Sequence, residues 1–462
     1  MRKIFSLLIC LTMVSCSIPK PLIERIKEEG QLVVVTRQSP TTLFKEKGTT
    51  KGLEYELVEK FAAELGVKVK YIIPESFDEI LPTITRGEAH FAAAALTVTK
   101  AREIVVRFTP EYQKVSAQLV YKSGKRRPKK ITDTIGGTLE VIAGSSHEEL
   151  LIQLKETHPE LSWSALQSVE STELLNLVYE GLIDYTIANS NEVALSRRFH
   201  PELKVAFDVG EEQSLAWAFP HAEDNSLYKA AKAFMNRIRD DGSLEQLLER
   251  YYGYVEKLDF VDNRTFARHL VQRLPPLIPF FKQAAKNTGL DWQLLAAIGY
   301  QESHWNPDAV SPTGVRGIMM LTEGTAKQMG IEDRTDIEQS ISGGARYLRR
   351  VEKKLPKRIE EPDRTWMALA SYNVGFGHLE DARVLTQRSG GNPDKWADVK
   401  QHLPLLAKKK FYSTVRYGFA RGKEPVHYVD NIRSYYDLLA WHNKKLKKKQ
   451  IEAVINTIPA VL

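Results

Sequence analysis

A carboxylate at the end of a mostly apolar segment is the side chain of this sequence best suited to chemistry. Residues 291–302 read Asp-Trp-Gln-Leu-Leu-Ala-Ala-Ile-Gly-Tyr-Gln-Glu, which predicts a helix capped by Asp291. Leu295 and Ile298 precede Glu302 by seven and four residues, so helical spacing places the carboxyl group on the inward face. Burial raises the pKa of a carboxyl group and keeps it protonated near neutral pH, as a general acid requires. Helical spacing alone also allows a buried structural Glu that pairs with an Arg.

The residues after Glu302 have the composition of a loop that could border a cleft. The Asn-Pro pair at 306–307 predicts the end of the helix, because proline disrupts a helix interior. Pro312, Gly314 and Gly317 follow before an apolar run. We therefore expect an acid at the mouth of a cleft that is lined by loop backbone.

Other catalytic chemistries lack their sequence signatures. The 11 histidines show no metal-ligand spacing, and no G-x-S-x-G sequence is present. A lone Gly-Phe-Gly at 375–377 follows a predicted helix, whereas a dinucleotide fingerprint follows a strand. We expect neither a metal nor an organic cofactor, and the sequence argues against a zinc hydrolase or a nucleotide enzyme.

Length and charge limit the class of protein. A chain of 462 residues is too long for one ordinary core, so two or three domains are expected. The formal net charge is +7, with basic clusters at 408–410 and 444–449. No basic stripe coincides with a nucleic-acid motif, so no nucleic-acid partner is expected. We predict instead a solvated basic surface that suits a polyanionic envelope or acidic peptides.

The first residues have the pattern of an export signal. Two basic residues precede an apolar run that is too short to span a membrane, and small residues follow. Met-Val-Ser-Cys at 13–16 resembles a bacterial lipoprotein box, which predicts lipidation of Cys16; simple cleavage is the alternative. The chain has two cysteines, Cys10 and Cys16, so the mature body has no disulfide. We expect attachment to the periplasmic side of the outer membrane through the N-terminus.

Strand and helix patterns alternate through the first half of the chain. Short strands are predicted at 31–36, 67–73 and 91–95, and helices at 51–65 and 76–86. This alternation predicts an α/β domain with a largely parallel sheet.

Four motifs of the first half resemble the periplasmic amino-acid-binding proteins, solute-binding family 3. They are Gly52-Leu-Glu-Tyr-Glu56, Leu96-Thr-Val-Thr-Lys-Ala-Arg102, Arg107-Phe-Thr-Pro-Glu-Tyr112 and a tail that ends in Tyr251-Tyr-Gly253. The resemblance covers roughly 25–253 and implies two α/β lobes with a ligand cleft between them. The second lobe is expected over about 115–205.

The same resemblance implies a ligand site around Arg102. In the family, the Arg of this motif clamps the α-carboxylate of the ligand, which a guanidinium group matches with two parallel hydrogen bonds. Ser145 and Ser146, in a turn that opens a helix, would add hydroxyl and backbone donors. A surface salt bridge is the alternative role for Arg102 alone.

Asn189 departs from the family pattern. The family usually has an Asp at this place, which takes the ammonium group of the ligand, and an amide cannot supply that negative charge. A free amino acid is therefore disfavoured. A wall-derived peptide or another amino-acid-like molecule is expected, with an empty domain as the alternative.

The second half has helical periodicity with little strand character. A short polar boundary near 253–263 separates the halves, and we place the domains at 17–255 and 256–462. Because the boundary holds no long Gly/Ser linker, the halves should lie close together. Helices are predicted at 264–273, 277–288, 292–303, 322–329, 337–355 and 364–373. The second half is therefore predicted to be all-α with a basic C-terminal tail.

Three ordered motifs of this half resemble the soluble lytic transglycosylases, whose helical fold is lysozyme-like. They are Gln301-Glu-Ser303 with Asn-Pro, Ser311-Pro-Thr-Gly-Val-Arg-Gly-Ile-Met-Met320 and Ala370-Ser-Tyr-Asn-Val-Gly375, and Glu424-Pro-Val-His-Tyr-Val429 agrees with the family's C-terminal pattern. The resemblance implies that Glu302 is the acid/base. It also implies sugar or cleft contacts for Ser311, Tyr372, Asn373 and, less firmly, Tyr428. Met320 stands where many relatives have Gln.

The resemblance also implies a reaction that needs one carboxylate. Glu302 would protonate the oxygen that follows N-acetylmuramic acid, and the substrate's own acetamido group and C6 hydroxyl would complete an anhydro ring. Peptidoglycan would be the substrate, and the first domain would be regulatory rather than catalytic. The alternatives are a receptor whose helical half only docks on the wall and a lysozyme-type hydrolase, which needs two carboxylates.

Overall fold

The computed structural model describes residues 20–46, 48–254, 260–311 and 314–457. The predicted export signal and the predicted lipidation of Cys16 lie outside the described residues. The predicted domain boundary at 255/256 also lies outside the described residues and stays a prediction.

The first half alternates short strands with helices, as its sequence predicts. The strands are β1 (Gln31–Val35), β2 (Phe44–Glu46), β3 (Thr49–Lys51), β4 (Lys68–Ile72), β5 (Phe91–Ala92), β6 (Val106–Phe108), β7 (Gln113–Val115), β8 (Ala117–Lys122), β9 (Leu139–Ile142), β10 (Ser164–Leu166), β11 (Tyr185–Asn189), β12 (Leu203–Asp208), β13 (Gln213–Leu215) and β14 (Ala218–Pro220). The helices are α1 (Leu22–Glu29), α2 (Leu53–Leu65), α3 (Ile80–Thr85), α4 (Lys100–Val105), α5 (Ser146–Thr157), α6 (Ser171–Glu180), α7 (Ser190–Phe199), α8 (Ser226–Asp240) and α9 (Ser243–Tyr252).

Two five-stranded sheets define two lobes. The first has the order β4-β1-β5-β14-β6 and the second the order β10-β9-β11-β8-β12. Strands β7 and β13 pair in antiparallel register, Gln113 with Leu215 and Val115 with Gln213. Because the chain leaves the first lobe through β7 and returns through β13, this ribbon is the hinge between the lobes.

The prediction of a largely parallel sheet is only partly right. Strand β1 runs parallel to β4 and β5, whereas β14 is antiparallel to both β5 and β6. In the second lobe, β8 is antiparallel to β11 and β12. The reversed strands are those that adjoin the hinge crossings, and the alternation of strands and helices does not reveal their direction.

The second half is helical. Its helices are α10 (Phe260–Gln272), α11 (Ile278–Thr288), α12 (Trp292–Ser303), α13 (Glu323–Gln328), α14 (Ile337–Lys354), α15 (Asp363–Val374), α16 (Phe376–Arg388), α17 (Trp396–His402), α18 (Lys409–Tyr412) and α19 (Lys423–Thr457). The six helices predicted between 264 and 373 agree with α10–α15 to within a few residues at each end. No helix among the described residues is both long and apolar enough to cross a membrane.

Helix α12 ends before the predicted Asn-Pro stop. His304 and Trp305 both have left-handed backbone angles, with φ of 52° and 57°. The buried indole of Trp305 donates a hydrogen bond to the carbonyl oxygen of Ala296 over 2.7 Å. The chain therefore reverses at Ser303, because this reversal lets Trp305 pack back onto its own helix.

The two halves meet along α19. Arg433 donates hydrogen bonds to the Glu249 carboxylate (3.0 Å) and to the carbonyl oxygens of Glu249 (3.0 Å) and Arg250 (2.9 Å) in α9. Asp437, one turn further along α19, pairs with Arg198 of α7. Glu249 also pairs with Lys400 of α17 over 2.7 Å. The prediction that the halves lie close together is confirmed.

Candidate active site

Helix α12 places Glu302 where the helical core meets a cleft. Asp291 caps the helix, as predicted, by accepting a hydrogen bond from the backbone amide of Gln293 over 2.9 Å. Ala296, Ala297 and Ile298 are fully buried. Glu302 itself is half-buried, one turn after Ile298. The predicted inward face of the helix is therefore confirmed.

The Glu302 carboxyl group contacts a tyrosine from the far end of the domain. The hydroxyl group of Tyr428, in α19, donates a hydrogen bond to Glu302 Oε1 over 2.6 Å. Burial raises the pKa of Glu302 to about 7, and the hydrogen bond from Tyr428 acts in the opposite direction. A carboxyl group with this pKa can give and take a proton near neutral pH.

A second tyrosine packs beside the first. The rings of Tyr372 and Tyr428 are stacked, with centroids 6.4 Å apart and an interplanar angle of 14°. The Tyr372 hydroxyl group donates to the carbonyl oxygen of Met319 over 3.1 Å, and its ring meets Tyr347 edge to face. Burial raises the pKa values of both Tyr372 and Tyr428 well above the usual range. Both phenols therefore stay protonated and can serve as hydrogen-bond donors.

The loop before α13 is held close to α12. The hydroxyl group of Ser303 donates to the carbonyl oxygens of Gly299 (3.0 Å) and Ile318 (2.9 Å). Gly317 has φ of 85°, and a Cβ there would lie 1.9 Å from the carbonyl oxygen of Arg334. Glycine is therefore required at position 317 for both its backbone angle and its close contact.

The other predicted sugar-binding residues lie at the edges of this site. Ser311 is half-buried and its hydroxyl group accepts a hydrogen bond from the backbone amide of Val315 over 2.9 Å. Asn373 is exposed in the last turn of α15, next to Tyr372. Met320 is half-buried and has a left-handed φ of 44°. Sugar contacts by Ser311 and Asn373 stay predictions.

The first half has a second predicted site, in which Arg102 already has partners. Its guanidinium group donates to Glu149 Oε1 (2.8 Å) and to the carbonyl oxygens of Thr97 (3.2 Å) and Gly144 (3.0 Å). Glu149 and Gly144 belong to the second lobe, so these contacts bridge the two lobes. A ligand carboxylate would have to displace Glu149 to reach Arg102.

Arg37 is a second bridging arginine that we did not predict from the sequence. It lies beyond the carboxyl end of β1 and pairs with Glu170 (3.0 Å) and Glu192 of the second lobe. A cavity of about 460 Å³ between the lobes is lined by Arg37, Phe77 and Glu170 among others. Arg37 could have been predicted from its place directly after a predicted strand, because ligands bind at the carboxyl ends of strands in open α/β sheets.

The remaining predicted ligand residues are buried near this closure. Ser145 caps α5 by accepting a hydrogen bond from the amide of Glu148, and Ser146 donates to the Thr97 hydroxyl over 3.1 Å. The Asn189 side chain contacts the ring of His147 over 3.1 Å. Ser146 thus lies at the lobe interface, whereas Ser145 mainly stabilises a helix end. Ligand binding by Arg102, Ser145, Ser146 and Asn189 stays a prediction.

Comparisons with known proteins agree with this two-part architecture. The family model described as bacterial extracellular solute-binding proteins, family 3, matches residues 32–254. The model described as the transglycosylase SLT domain matches residues 279–394. The second match includes Glu302 and ends before Tyr428.

Full-length relatives share both parts. A membrane-bound lytic murein transglycosylase F from Stutzerimonas stutzeri is 50% identical over 428 residues, which are 92% of this chain and 88% of the relative. Proteins of the same name from Saccharophagus degradans and Pseudomonas fluorescens are each 47% identical, over 95% and 93% of this chain and 87% and 89% of theirs.

The chain belongs to the membrane-bound lytic murein transglycosylase F family.

Solved structures that resemble this member of the transglycosylase F family align with part of the chain. A mutant of the arginine-binding protein ArgBP from T. maritima has a TM-score of 0.46 at 22% identity and covers 50% of this chain and 99% of its own. An amino acid ABC transporter substrate-binding protein from Streptococcus pneumoniae has a TM-score of 0.45 at 22% identity, over 51% and 100%.

Proposed function

We propose that the protein is a lytic transglycosylase that cleaves peptidoglycan strands. The bond cut is the β-1,4 bond between N-acetylmuramic acid and N-acetylglucosamine, and the product end is a 1,6-anhydromuramic acid. The observation that supports this most is the Glu302 carboxyl group, with its pKa raised to about 7 by burial and its hydrogen bond from Tyr428.

One carboxylate is enough for this chemistry. Among the described residues, the hydrogen bond to the Glu302 carboxyl group comes from Tyr428, and burial rather than a neighbouring carboxylate raises its pKa. An ordinary glycosidase uses a second carboxylate at about 5–9.5 Å from the first. The arrangement at Glu302 supports a reaction in which the substrate itself supplies the nucleophile.

The proposed reaction moves one proton out and one proton in at Glu302. The protonated carboxyl group gives its proton to the bridging oxygen as the bond from the muramic C1 to that oxygen breaks. The 2-acetamido oxygen bonds to C1 and stabilises the positive charge. The Glu302 carboxylate then takes the proton of the C6 hydroxyl group, whose oxygen bonds to C1 and displaces the acetamido oxygen. No water is consumed.

Mass spectrometry of digested murein sacculi tests this proposal. The protein without its leader should release products with anhydro ends, and the Glu302→Gln variant should release none, because an amide cannot supply the proton. Products heavier by one water would make the enzyme a hydrolase. Absence of products from both proteins, with binding to sacculi retained, would favour a wall-binding receptor.

We further propose that the first domain binds a wall-derived peptide or a similar small molecule and regulates cleavage. Buried polar atoms at the lobe interface support a polar ligand: Arg37 Nε and Glu192 Oε2 lack a hydrogen-bond partner among the described residues. Burying such atoms without partners is unfavourable, so a ligand with donors and acceptors could satisfy them. Its carboxylate would replace Glu149 on Arg102.

Substitution of Arg102 tests the regulatory role. Arg102→Lys keeps the positive charge but removes the two parallel N–H donors of the guanidinium group. Binding of wall-derived peptides, measured by calorimetry, should therefore weaken. The response of cleavage to those peptides should be lost. Arg86→Lys, at an exposed surface pair of the first lobe, is the matched control. Unchanged peptide binding and unchanged cleavage in Arg102→Lys would reject the proposal.

Attachment to the outer membrane through a lipidated Cys16 is a separate proposal. It is supported by the lipoprotein-like sequence at 13–16. Membrane fractionation of cells that express the parent chain or Cys16→Ala tests it. The parent should sediment with outer membranes and the variant should not.

A further inference from the structure

A basic and aromatic segment joins the 3₁₀ turn at 403–407 to α19. We call residues 408–423 the basic–aromatic loop; it includes the short helix α18 and Lys423, the first residue of α19. It contains no Asp or Glu. Its six cationic side chains are all exposed: Lys408, Lys409, Lys410, Arg416, Arg421 and Lys423. No carboxylate within the loop offsets this positive charge, and Arg421 forms an exposed ion pair with Glu424 of α19 over 3.4 Å. An exposed pair of this kind contributes little, so Arg421 can exchange Glu424 for a ligand carboxylate.

The same loop exposes aromatic rings to solvent. Among the described residues, the large apolar side chains with high exposure include two aromatic ones, Tyr417 (53%) and Phe419 (57%). The ring of Tyr412 meets Phe419 edge to face at 5.8 Å. Clustered exposed apolar surface rimmed by polar groups is typical of a binding site.

A buried carboxylate fixes the conformation of the basic–aromatic loop. Asp381 of α16 is 3% exposed and accepts hydrogen bonds from the backbone amides of Arg416 (3.1 Å), Tyr417 (2.8 Å) and Gly418 (3.0 Å). At the C-terminal end of the loop, the amide of Ala420 donates to the carbonyl oxygen of Leu406 over 3.1 Å. The backbone that carries the exposed rings is thus held in place before any ligand arrives, which lowers the entropy cost of binding.

The loop contacts α16, which directly follows the Tyr372-bearing helix α15, and it leads into α19. The ring of Tyr417 lies against Gly377, where a Cβ would be 2.6 Å from Tyr417 Cδ1. Gly377 lies in the first turn of α16, four residues after Asn373. The other end of the loop continues into α19, which carries Tyr428. The loop is therefore connected to the elements that carry Tyr372 and Tyr428.

We propose that Tyr417 and Phe419, together with Arg416 and Arg421, form an extended subsite for a peptide-bearing glycan strand. This inference rests on the proposed function. The aromatic rings offer flat apolar surface to a sugar ring, and the guanidinium groups match the carboxylates of an attached peptide. The complementary charge of loop and strand favours this occupant over an uncharged glycan.

Cleavage of long and short substrates distinguishes this subsite from the catalytic centre. For Tyr417→Ala/Phe419→Ala in the full chain, the ratio of kcat/KM on long peptide-bearing strands to kcat/KM on a single tetrasaccharide-peptide should fall roughly tenfold, mainly through KM. Leu182→Ala/Val271→Ala, which removes two exposed side chains elsewhere, should leave the ratio unchanged. An unchanged ratio in the aromatic variant would overturn the proposal.

A charge variant tests the second part of the subsite. Arg416→Gln/Arg421→Gln should weaken cleavage of peptide-bearing strands more than cleavage of the same strands after their peptide carboxylates have been converted to neutral amides. Equal losses on both would overturn the role of the peptide. Inactivity of the unmodified protein on every substrate would reject the proposed function instead, which is a different outcome.

Binding to vesicles that contain anionic phospholipid tests whether the loop is a lipid-binding surface instead. If both loop variants lost sedimentation with such vesicles and kept their KM on long strands, the loop would be a lipid-binding surface and the proposal would be wrong. Retained sedimentation with a raised KM is the expected result. Thermal unfolding of each variant checks that the helical half stays folded.

Discussion

Glu302 is subject to two opposing influences on one carboxyl group. Burial raises its pKa to about 7, and the hydrogen bond donated by Tyr428 favours the ionised form and lowers the pKa. Only the protonated form can give a proton to the leaving oxygen. The value of kcat/KM, which reports the free enzyme, should therefore decline as the pH rises through about 7, and Tyr428 helps to set the position of this decline.

Removal of the Tyr428 hydroxyl group should move the pH profile. In Tyr428→Phe the carboxylate loses its hydrogen bond, so the pKa of Glu302 should rise and the alkaline limb of kcat/KM should shift upward by roughly one pH unit. The measurement is the pH dependence of kcat/KM on soluble glycan fragments.

Tyr372→Phe is the matched control for this shift. Its hydroxyl group donates to the carbonyl oxygen of Met319 rather than to Glu302. Its rate is expected to change with the loss of a cleft contact, but its alkaline limb should stay in place. A limb that shifts downward in Tyr428→Phe would contradict the assigned direction of the hydrogen bond.

At the scale of elements, the loop between α12 and α13 depends on one glycine. The left-handed angle of Gly317 and the nearby carbonyl oxygen of Arg334 leave no room for a side chain. The loop in turn carries Met319, whose carbonyl oxygen accepts the hydrogen bond from Tyr372. A substitution at position 317 should therefore disturb the candidate active site.

Gly317→Ala should destabilise the helical half and reduce turnover. We expect a loss of at least about 2 kcal/mol in the free energy of unfolding, because the backbone of Arg334 must move. Gly314→Ala is the control: its φ is 79°, but no atom of the described residues, its chain neighbours aside, lies within 4 Å of its added Cβ. That variant should lose about 1 kcal/mol through backbone strain alone. Calorimetric unfolding and kcat together distinguish these results.

The sequence predicted the features that depend only on residues close together in the chain. The cap at Asp291 and the inward face of α12 follow from residue types within a dozen positions, and both are confirmed. The contact between Glu302 and Tyr428 joins residues 126 positions apart, so periodicity could not locate it. The family resemblance predicted only that Tyr428 is a cleft residue, not that it contacts Glu302.

The contacts between the two lobes of the first half were not predicted, because they join residues that are distant in the sequence. The motif around Arg102 indicated a cation for a ligand carboxylate, and the structure places Glu149 of the other lobe on that cation. Which carboxylate contacts Arg102 depends on how the two lobes pack together. The sequence of one motif in one lobe does not contain that information. The direction of the strands beside the hinge was missed for the same reason.

At the scale of the whole molecule, α19 carries contacts to both halves. Tyr428 faces Glu302, and Arg433 and Asp437 face the binding-protein half. The Arg433 guanidinium group also lies 3.8 Å from the ring centroid of Tyr254 and 3.9 Å from that of Trp366. This junction is therefore an ion pair with two stacked aromatic partners.

Arg433→Lys should weaken the junction although it keeps the charge. A lysine loses the planar stack and at least one of the three hydrogen bonds, so the free energy of unfolding should fall by about 2–3 kcal/mol. Calorimetry should show the unfolding transitions of the two halves moving apart. Arg86→Lys, at a pair that is about half exposed, should change the stability by less than about 1 kcal/mol. Equal effects of the two variants would show that the junction adds little.

The raised pKa of Glu302 has a consequence for substrate binding. Peptide-bearing strands carry carboxylates, and negative charge close to Glu302 favours its protonated form. Coupling between two binding events is reciprocal, so a strand that prefers the protonated cleft increases the proton affinity of Glu302 by the same factor. The substrate would then help to recruit the proton that is needed to cut it. Cleavage by the substrate-bound enzyme would persist at pH values where Glu302 is already ionised in most free enzyme molecules.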